Sequence, residues 1–405
     1  MNMKRWLGLG LSCLLCWSYG GGAGAEPGIT NDSIRIGSVL ALDGQAKGLG
    51  KGMKAGLEAA FRGVKIKGKS IELIAVNDSY EPKKAVEATQ ALLKQNIFLM
   101  AGNVGTPTAQ ATLPILAENK VPAVGFFTGA VLLRPGKGDI VNFRASYVQE
   151  TASVINAALA AGLKPENICA YVQNDAYGMA GIIGIQKALA GKPGTEKMLA
   201  SLDEILKMEG DNPPRNQIGP VGVYVRNTLH SLPGYESLKL WESTQGVQCK
   251  LVVSVGAYAA IARFVAYSRY KGDSWLVSAV SFTGADNFRK ELTDLGIDSR
   301  IIMTQVVPEL TSELPVVKMA RQELKDDFGF VSLEGYLVGK MLVAALQSIS
   351  GEITREAFMA AIKGKSLKVE QLTLDFTQDN QGSDLVLLTY LNDTGYRTMQ
   401  ASDWQ

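Results

Sequence analysis

Histidine and cysteine are scarce in this chain of 405 residues. It contains one histidine and four cysteines, and two of those cysteines lie within the first sixteen residues. A Ser-His-Asp triad or a histidine-based metal site would depend on His230 alone, in the loop-like stretch NTLHSLPGY. The composition therefore argues against hydrolytic chemistry, and we expect no enzyme activity, no cofactor and no bound metal.

An excess of charge of one sign is also missing. The chain has 41 Lys+Arg against 39 Asp+Glu, and its first 25 residues carry two basic side chains and no acidic one. The remainder is thus formally neutral. Nothing in this balance favours a nucleic acid or an anionic membrane surface as a partner.

The N-terminal segment MNMKRWLGLGLSCLLCWSYGGGAGA has the three parts of a secretory signal peptide. Basic residues come first, a short apolar core follows, and small residues precede Ala25. We expect cleavage after Ala25 and a periplasmic location. The alternative is a lipid anchor on Cys13 or Cys16, although the residues before Cys13 match a lipidation motif poorly. We identify no later apolar run long enough to span a bilayer.

Cys169 and Cys249 are the cysteines that remain after such cleavage. Each stands at the start of a predicted strand, and both strands belong to the same half of the chain. Two buried thiols are one interpretation. A disulfide is the other, because an exported protein meets an oxidising compartment.

Strand-like and helical patterns alternate from the mature N-terminus almost to the end. The first set comprises strands over 34–42, 71–78, 98–103 and 121–127, with helices over 48–62, 82–95 and 107–119. The second set comprises strands over 167–175, 221–226, 250–256, 274–280 and 300–307, with helices over 148–161, 177–190, 234–245 and 258–270. This alternation predicts an α/β protein with doubly wound parallel sheets. A helix over 335–349 and a hairpin of QLTLDF with LVLLTYL close the chain.

The length of the mature chain favours two lobes, because about 380 residues exceed what one core usually serves. We assign 26–146 plus about 308–370 to the first lobe, and 147–307 plus about 371–405 to the second. One segment, 194–221, is charged, contains a Pro-Pro pair and is long for one connection. We interpret it as an inserted surface segment of the second lobe, with a short helix within KMLASLDEILKM.

Parallel sheets of this kind bind ligands beyond the carboxyl ends of their strands. Thr106 follows a glycine-containing turn at the start of a helix, where a hydroxyl and free N–H groups suit a carboxylate or carbonyl oxygen. Thr128 and Gly129 offer a second such place. Tyr177 and Tyr258 follow matching strands of the second lobe, and each supplies an apolar face and a hydroxyl.

Other strand-end residues have two interpretations. Asp43, Asp78 and Asp175 could form the carboxylate pair of a secreted enzyme, but aspartates at such positions are typical of helix caps and turns. The glycine-rich loop GQAKGLGKG, residues 44–52, lacks the spacing of a P-loop or a dinucleotide fingerprint. It predicts instead a backbone that approaches a ligand closely.

Three segments, taken in order, resemble one known family: IRIGSVLALDGQAKGLGKGMKAGLEAA, ALLKQNIFLMAGNVGTPTAQATLPILAENKVPAVGFF and ICAYVQNDAYGMAGI. The chain resembles the type I periplasmic solute-binding proteins of ABC transporters, in the leucine/isoleucine/valine- and amide-binding group. The resemblance implies two Rossmann-like lobes, joined by three crossover segments that act as a hinge and let the lobes close on a small solute.

The resemblance also implies ligand-binding residues. Thr106 takes the place of the hydroxyl that binds the ligand carboxylate, and Thr128 with Gly129 falls where the polar end of the ligand is contacted. The remaining positions implied are Tyr177, Tyr258 and Leu49. Ser281 or Val280 stands where amino-acid binders place an acidic residue for the ligand ammonium, and the nearest acid along the chain is Asp286. Because an ammonium in a closed cleft needs a negative partner, this departure argues against an α-amino acid.

We therefore predict a monomeric periplasmic substrate-binding component of an ABC importer. Its ligand would be a branched-chain amino acid, an amide or a small carboxylate, delivered to an inner-membrane permease. The alternative is a ligand-sensing subunit of a receptor kinase or chemoreceptor. Both share the cleft, and they differ in the partner surface, for which 194–221 is a candidate.

Overall fold

The computed structural model describes residues 26–210 and 212–404, so the predicted signal peptide and its cleavage site lie outside the described residues. Two large sheets organise the described chain. The first has the order β2-β3-β1-β4-β5-β6 and is parallel except for its edge strand β2. Its strands are β1 (Ser33–Leu40), β2 (Lys65–Ile66), β3 (Lys69–Asn77), β4 (Leu99–Ala101), β5 (Ala123–Val124) and β6 (Ile140–Val141).

The second sheet has the order β15-β14-β11-β10-β9-β7-β8, and its strands β7 to β11 run parallel. Its strands are β7 (Ile168–Gln173), β8 (Val221–Tyr224), β9 (Leu251–Val255), β10 (Leu276–Ala279), β11 (Ile301–Gln305), β14 (Leu387–Asn392) and β15 (Gly395–Thr398). A separate hairpin consists of β12 (Ser366–Val369) and β13 (Leu372–Asp375). The predicted α/β class with two mostly parallel sheets is confirmed.

Twelve α-helices lie in the described chain, and most of them connect consecutive strands. They are α1 (Lys47–Phe61), α2 (Pro82–Lys94), α3 (Thr106–Glu118), α4 (Tyr147–Ala160), α5 (Ala176–Leu189), α6 (Glu196–Lys207), α7 (Leu232–Gln245), α8 (Tyr258–Tyr270), α9 (Ala285–Asp294), α10 (Pro315–Leu324), α11 (Phe330–Gln347) and α12 (Arg355–Ile362). The short helix expected within 194–221 is α6. Its buried face, formed by Met198, Leu202 and Ile205, shows that this segment is only partly a surface feature.

The predicted C-terminal hairpin is wrong. Residues 371–376 do not pair with 385–391; β13 pairs with β12, whereas β14 pairs with β11 and with β15. The strand in QLTLDF forms its backbone hydrogen bonds with the preceding strand β12. The strand in LVLLTYL forms them with the distant strand β11 on one side and with the following strand β15 on the other. The lobe boundary expected at about residue 370 consequently falls inside the β12–β13 hairpin.

Each sheet with its helices forms a lobe, and the chain passes between the two lobes three times. It leaves the first sheet after β6 and enters α4, whose N-terminus carries a capping box of Ser146 and Gln149. It returns between β11 and α10, and passes back between β13 and β14. Hydrogen bonds from Asn142 N to Asn380 O (2.7 Å) and from Gly382 N to Asn142 O (2.9 Å) join the first and third passages.

Helices α1 and α11 pack unusually closely in the first lobe. A Cβ at Gly56 would lie 2.2 Å from the carbonyl oxygen of Ser332 and 2.4 Å from the backbone nitrogen of Tyr336. Only glycine allows this approach. Of the described helices, α11 is the one long and apolar enough to cross a membrane, but 78% of it is buried inside the protein. The expectation that no later apolar run is long enough to span a bilayer is therefore wrong by length and composition.

Cys169 and Cys249 form a disulfide, with their Cα atoms 5.7 Å apart. Cys169 lies in β7 and Cys249 lies just before β9, and these strands are neighbours in the sheet with Cys169 opposite Val252. Adjacent strand starts bring the two Cα atoms within bonding reach. Of the two interpretations of these cysteines, the disulfide is therefore confirmed and the pair of free thiols is wrong.

Candidate functional site

The carboxyl ends of the two parallel sheets meet in a cleft, and the lobes touch directly across it. Gly48 N donates a hydrogen bond to the Tyr258 hydroxyl at 3.2 Å, and Gln173 Nε2 donates to the Tyr80 hydroxyl at 3.2 Å. Each bond joins a residue of the first lobe to a residue of the second. The arrangement is therefore closed.

Five aromatic side chains fill the centre of this cleft, and we call them the aromatic cluster: Tyr80, Phe127, Tyr147, Tyr177 and Phe282. The Phe282 ring centre lies 4.6 Å from that of Tyr177, 5.2 Å from that of Phe127 and 6.0 Å from that of Tyr80. Tyr147 and Tyr177 are 5.3 Å apart. All five are buried, and burial raises the pKa of Tyr147 to about 12. The cluster offers flat apolar faces from both lobes.

Two hydroxyls predicted from the sequence lie together at this position. Thr106 Oγ1 and Thr128 Oγ1 are 2.7 Å apart and buried. Thr106 begins α3 directly after Gly105, whose φ of 109° is in the region that favours glycine. The carbonyl of Gly129 accepts a hydrogen bond from Tyr147 N at 2.8 Å, and a Cβ at Gly129 would lie 2.8 Å from that nitrogen. Any larger residue at 129 would push the cluster apart.

Tyr177 and Tyr258, expected as a pair, occupy different parts of the cleft. Tyr177 belongs to the aromatic cluster, whereas Tyr258 contacts the glycine-rich loop through Gly48. Leu49 packs on the same side, since a Cβ at Gly284 would lie 2.5 Å from its Cδ2 atom. The predicted approach of this backbone to a ligand stays a prediction; in the structure the backbone at Gly48, in the first turn of α1, contacts a side chain of the other lobe.

An acidic side chain that is distant in sequence contacts Ser281 in the folded protein. Glu150, in the first turn of α4, accepts hydrogen bonds from Ser281 N at 2.7 Å and from Ser281 Oγ at 3.0 Å. Thr304 Oγ1 donates to the same carboxylate. Asp286, the nearest acid along the chain, instead accepts from Phe330 N at 2.8 Å at the start of α11, and burial raises its pKa.

Arg144, Glu150 and Glu334 form a buried triad beside the aromatic cluster. Arg144 Nη2 is 3.6 Å from Glu150 Oε1, and Arg144 Nε is 3.5 Å from Glu334 Oε1. The Arg144 guanidinium carbon lies 4.8 Å from the centre of the Phe127 ring. Burial lowers the pKa of Arg144, but the two carboxylates outweigh it and the net shift is upward. Burial also raises the pKa of Glu334 to about 7, against the opposing effect of Arg144.

Little space is left inside the closed centre. The cavity beside Phe127, Ser281 and Glu334 has a volume of about 10 Å³. A groove of about 740 Å³ opens at the mouth of the cleft, between the N-terminal turns of α3 and α5. Leu206 and Met208 of the inserted segment line this groove. The insertion therefore shapes the entrance to the cleft.

A set of charged and polar groups, which we call the latch, bridges the lobes at this entrance. Arg226 Nη2 lies 2.9 Å from Glu81 Oε2, and Arg226 Nη1 lies 2.9 Å from Asp175 Oδ2. Asn227 Nδ2 donates to Glu81 Oε1 at 2.6 Å. Glu81 precedes α2 of the first lobe, whereas the other three residues belong to the second.

The strand-end aspartates have structural contacts. Asp43 Oδ2 accepts from Asn77 Nδ2 at 2.8 Å, and Asp175 caps α5 by accepting from Tyr177 N at 3.0 Å. Asp78 accepts from Tyr80 N at 2.8 Å in a tight turn, and burial raises its pKa to about 6. His230 is exposed. Within the described residues no group of three His, Cys, Asp or Glu side chains could hold a metal ion.

Sequence reasoning missed most of the aromatic cluster and all of the triad. Phe127 and Phe282 each stand directly before a threonine, in GFFTG and VSFTG, at strand ends that were already candidate ligand positions. Arg144 is the one charged residue in the stretch IVNFRASYVQ. A charged side chain in an apolar stretch between the lobes was the available signal.

Comparison with known proteins agrees with this geometry. Residues 33–198 match the family model described as periplasmic binding protein. The structure of a possible leucine/isoleucine/valine-binding protein from Rhodopirellula baltica SH 1 is 33% identical, with a TM-score of 0.79; the alignment covers 92% of this chain and 98% of that one. Among curated proteins, no sequence matches significantly.

Two more distant structures share the fold. One is a branched chain amino acid ABC transporter protein from Thermus thermophilus with bound valine, at 14% identity and a TM-score of 0.72, covering 92% of this chain and 96% of that one. The other is a solute binding protein of an ABC transporter from R. palustris in complex with 4-hydroxybenzoate, at 16% identity and a TM-score of 0.70, covering 91% and 96%.

Proposed function

Because this chain belongs to the type I periplasmic binding proteins, we propose that it is the substrate-binding component of an ABC importer. In this proposal a small polar or amphipathic solute binds in the cleft, the lobes close on it, and the closed protein delivers it to an inner-membrane permease. The observation that carries the proposal is the burial of hydroxyls and aromatic faces from both lobes at one point between the sheets.

The proposed site combines Thr106, Thr128 and Gly129 of the first lobe with Tyr177 and Ser281 of the second. Leu49 and Tyr258 cover it from the side of the glycine-rich loop. Closure around the three chain passages brings these groups together, and opening exposes them to solvent. This is the hinge motion that two lobes joined by short passages permit.

The proposed class of solute rests on the hydrogen-bonding groups that the cleft offers. Related structures hold valine and 4-hydroxybenzoate, so the fold accepts both an amino acid and an aromatic acid. Among branched-chain amino acids, amides and small carboxylates, the hydroxyl pair Thr106–Thr128 suits a carboxylate or carbonyl oxygen, which all three classes carry.

A thermal-shift screen against a metabolite library tests the proposal. A ligand at about 100 times its dissociation constant adds roughly 2.7 kcal/mol to the free energy of unfolding. Small-angle scattering of each hit should then give a smaller radius of gyration for the liganded protein than for the ligand-free protein. If no small solute stabilises the protein, or if hits leave the radius unchanged, the transport-receptor proposal is wrong.

Export is tested separately. Intact-mass measurement of the periplasmic protein should give a chain that begins at Glu26, and size-exclusion chromatography with light scattering should give a monomer. A diacylated cysteine at position 13 or 16 would make the protein a lipoprotein instead.

A further inference from the structure

Arg144 is a buried cation that does not use all of its hydrogen-bond donors. The side chain is fully buried, and an arginine carries five N–H donors. Its Nη2 donates to Ser281 Oγ, but neither Nη1 nor Nε has a hydrogen-bond acceptor among the described residues. Nε still has an ion-pair partner, Glu334 Oε1 at 3.5 Å, so Nη1 is the nitrogen with neither an acceptor nor an ion pair among the described residues. A buried donor of a charged group is costly when unpaired, and Nη1 is therefore poised for an acceptor.

Two other arginines, the half-buried Arg355 and the buried Arg215, differ from Arg144 in this respect. Arg355 donates from Nε to Phe98 O at 2.8 Å and from Nη2 to Ile97 O at 2.8 Å, and its Nη1 reaches two further carbonyls. Arg215 also uses all three of its nitrogens, Nε and Nη2 on the carbonyls of Ile205 and Met208 and Nη1 on the side chain of Asn174. These two side chains connect segments of the protein structurally, and every one of their nitrogens already donates a hydrogen bond.

Both carboxyl groups that lie beside Arg144 in the described part of the chain are engaged with it, Glu150 at 3.6 Å and Glu334 at 3.5 Å. Glu150 accepts from Ser281 N, Ser281 Oγ and Thr304 Oγ1, and its Oε1 lies 3.6 Å from Arg144 Nη2, so it is the counter-ion of Arg144. Glu334 faces Arg144, Glu150 and Arg134, and burial favours its protonated form up to a pKa of about 7. An ammonium placed here would meet a carboxylate that is already paired with Arg144 and a carboxyl group that is only partly ionised near neutral pH.

Building on the function proposed above, we propose that Arg144 anchors the carboxylate of the solute, and that the solute is a monocarboxylate with a flat or branched apolar body and no ammonium group. The planar guanidinium matches a carboxylate in two parallel hydrogen bonds, one from Nη1, which has no acceptor, and one from the second N–H of Nη2. The apolar body would replace the contacts that Phe127 and Phe282 make with each other across the cleft. An aromatic acid fits this combination of anchor and rings.

A proton should accompany the anion. The carboxylate adds negative charge beside Glu334, which favours the protonated form of that side chain. At pH values above about 7, where Glu334 is ionised in the free protein, binding takes up a proton. Affinity for the carboxylate should therefore fall as the pH rises from 7 to 9, while affinity for a neutral amide should not.

Calorimetry with matched probes tests the proposal. The probe pairs are benzoate with benzamide, and isovalerate with leucine, each titrated into wild-type protein and into Arg144→Met, Glu334→Gln and Arg355→Met. We expect benzoate or isovalerate to bind at least about tenfold more tightly than its partner, which corresponds to about 1.4 kcal/mol. Arg144→Met should remove this preference, and Arg355→Met should keep it.

Glu334→Gln gives a second measurement that does not depend on whether Arg144→Met folds. This variant should keep the preference for the carboxylate and lose the fall in affinity between pH 7 and 9. A purely structural role for the triad would change the melting temperature but would move neither the probe preference nor its pH profile.

Three results would overturn the proposal: equal affinity for acid and amide, tighter binding of leucine than of isovalerate, or no binding of either carboxylate at a dissociation constant below about 1 mM. The proposed transport function is judged separately. It remains supported after any of these results if a neutral or cationic metabolite stabilises and closes the protein, and it is refuted if no metabolite does.

Discussion

The latch at the cleft entrance should set how readily the ligand-free protein closes. Glu81 is the only latch residue of the first lobe, and it accepts from Arg226 at 2.9 Å and from Asn227 at 2.6 Å. Glu81→Ala removes these two bonds, leaves the bond from Asn227 Nδ2 to Ser79 O at 3.3 Å, and leaves Arg226 paired with Asp175 inside the second lobe. The variant therefore weakens the closed form without leaving an isolated buried charge.

The size of the effect follows from the exposure of the partners. A hydrogen bond to a charged group contributes about 1.5–3 kcal/mol when it is shielded, and an exposed ion pair contributes only about 0.2–1 kcal/mol. The side chains of Glu81 and Arg226 are 39% and 21% exposed, so solvent screens the pair substantially. We expect Glu81→Ala to cost the closed form about 1–2 kcal/mol, a factor of roughly 5–30 in the ratio of closed to open protein.

The assay combines small-angle scattering of the ligand-free variant with the affinity of a solute identified by the screen. The radius of gyration should rise, and the dissociation constant should rise by a similar factor, because only the closed form holds the ligand fully. Added salt should shrink the difference between variant and wild type.

A matched control lies within one lobe. Arg397 and Asp403 form a comparable pair, with Nη2–Oδ1 at 2.6 Å and Nη1–Oδ2 at 2.7 Å, and both belong to the C-terminal part of the second lobe. Arg397→Gln should change neither the radius nor the affinity. If Glu81→Ala behaves like this control, the latch does not govern closure and the reasoning is refuted.

Three further results are expected. Replacing Cys169 and Cys249 by serine should lower the free energy of unfolding by about 2–4 kcal/mol in urea titrations, because 80 residues separate them; an unchanged midpoint would contradict this. Glu334 should make the protein less stable as the pH rises from about 4.5 to 7, since the unfolded chain releases this proton near 4.5 and the folded chain holds it until about 7. Glu334→Gln should abolish that part of the pH profile, and equal slopes for both proteins would count against it. Tyr177→Ala should weaken solute binding by about 1–3 kcal/mol through loss of its contact with Phe282; calorimetry that gives wild-type affinity would exclude Tyr177 from the site.

The sequence was informative wherever structure depends on neighbours along the chain. Apolar runs followed by glycine and threonine placed the strands, their ends and the Thr106–Thr128 pair, because parallel strands deliver their carboxyl ends to one edge. Local patterns gave no partner for LVLLTYL, which pairs with β11 rather than with QLTLDF. Strand pairing across long sequence distances depends on the assembled sheet.

The charged part of the site was beyond prediction for the same reason. The acid nearest to Ser281 along the chain is Asp286, but the acid in contact with Ser281 is Glu150 from α4. Glu334 comes from α11, on the other lobe. These side chains and Arg144 come into contact only when the chain segments between the lobes have folded. A local sequence pattern therefore cannot predict the contact.

The close packing of α1 against α11 has a consequence for how the polypeptide acquires its shape during biosynthesis. Helix α1 emerges from the ribosome early, with the glycine face around Gly56 turned toward a partner that more than half of the chain separates from it. Strands β7 to β11 and their helices, by contrast, are contiguous in sequence and can assemble as soon as they are made. The β7–β11 part of the second sheet should thus assemble first, whereas the first lobe must wait for α11, and the edge of the second sheet for β14 and β15.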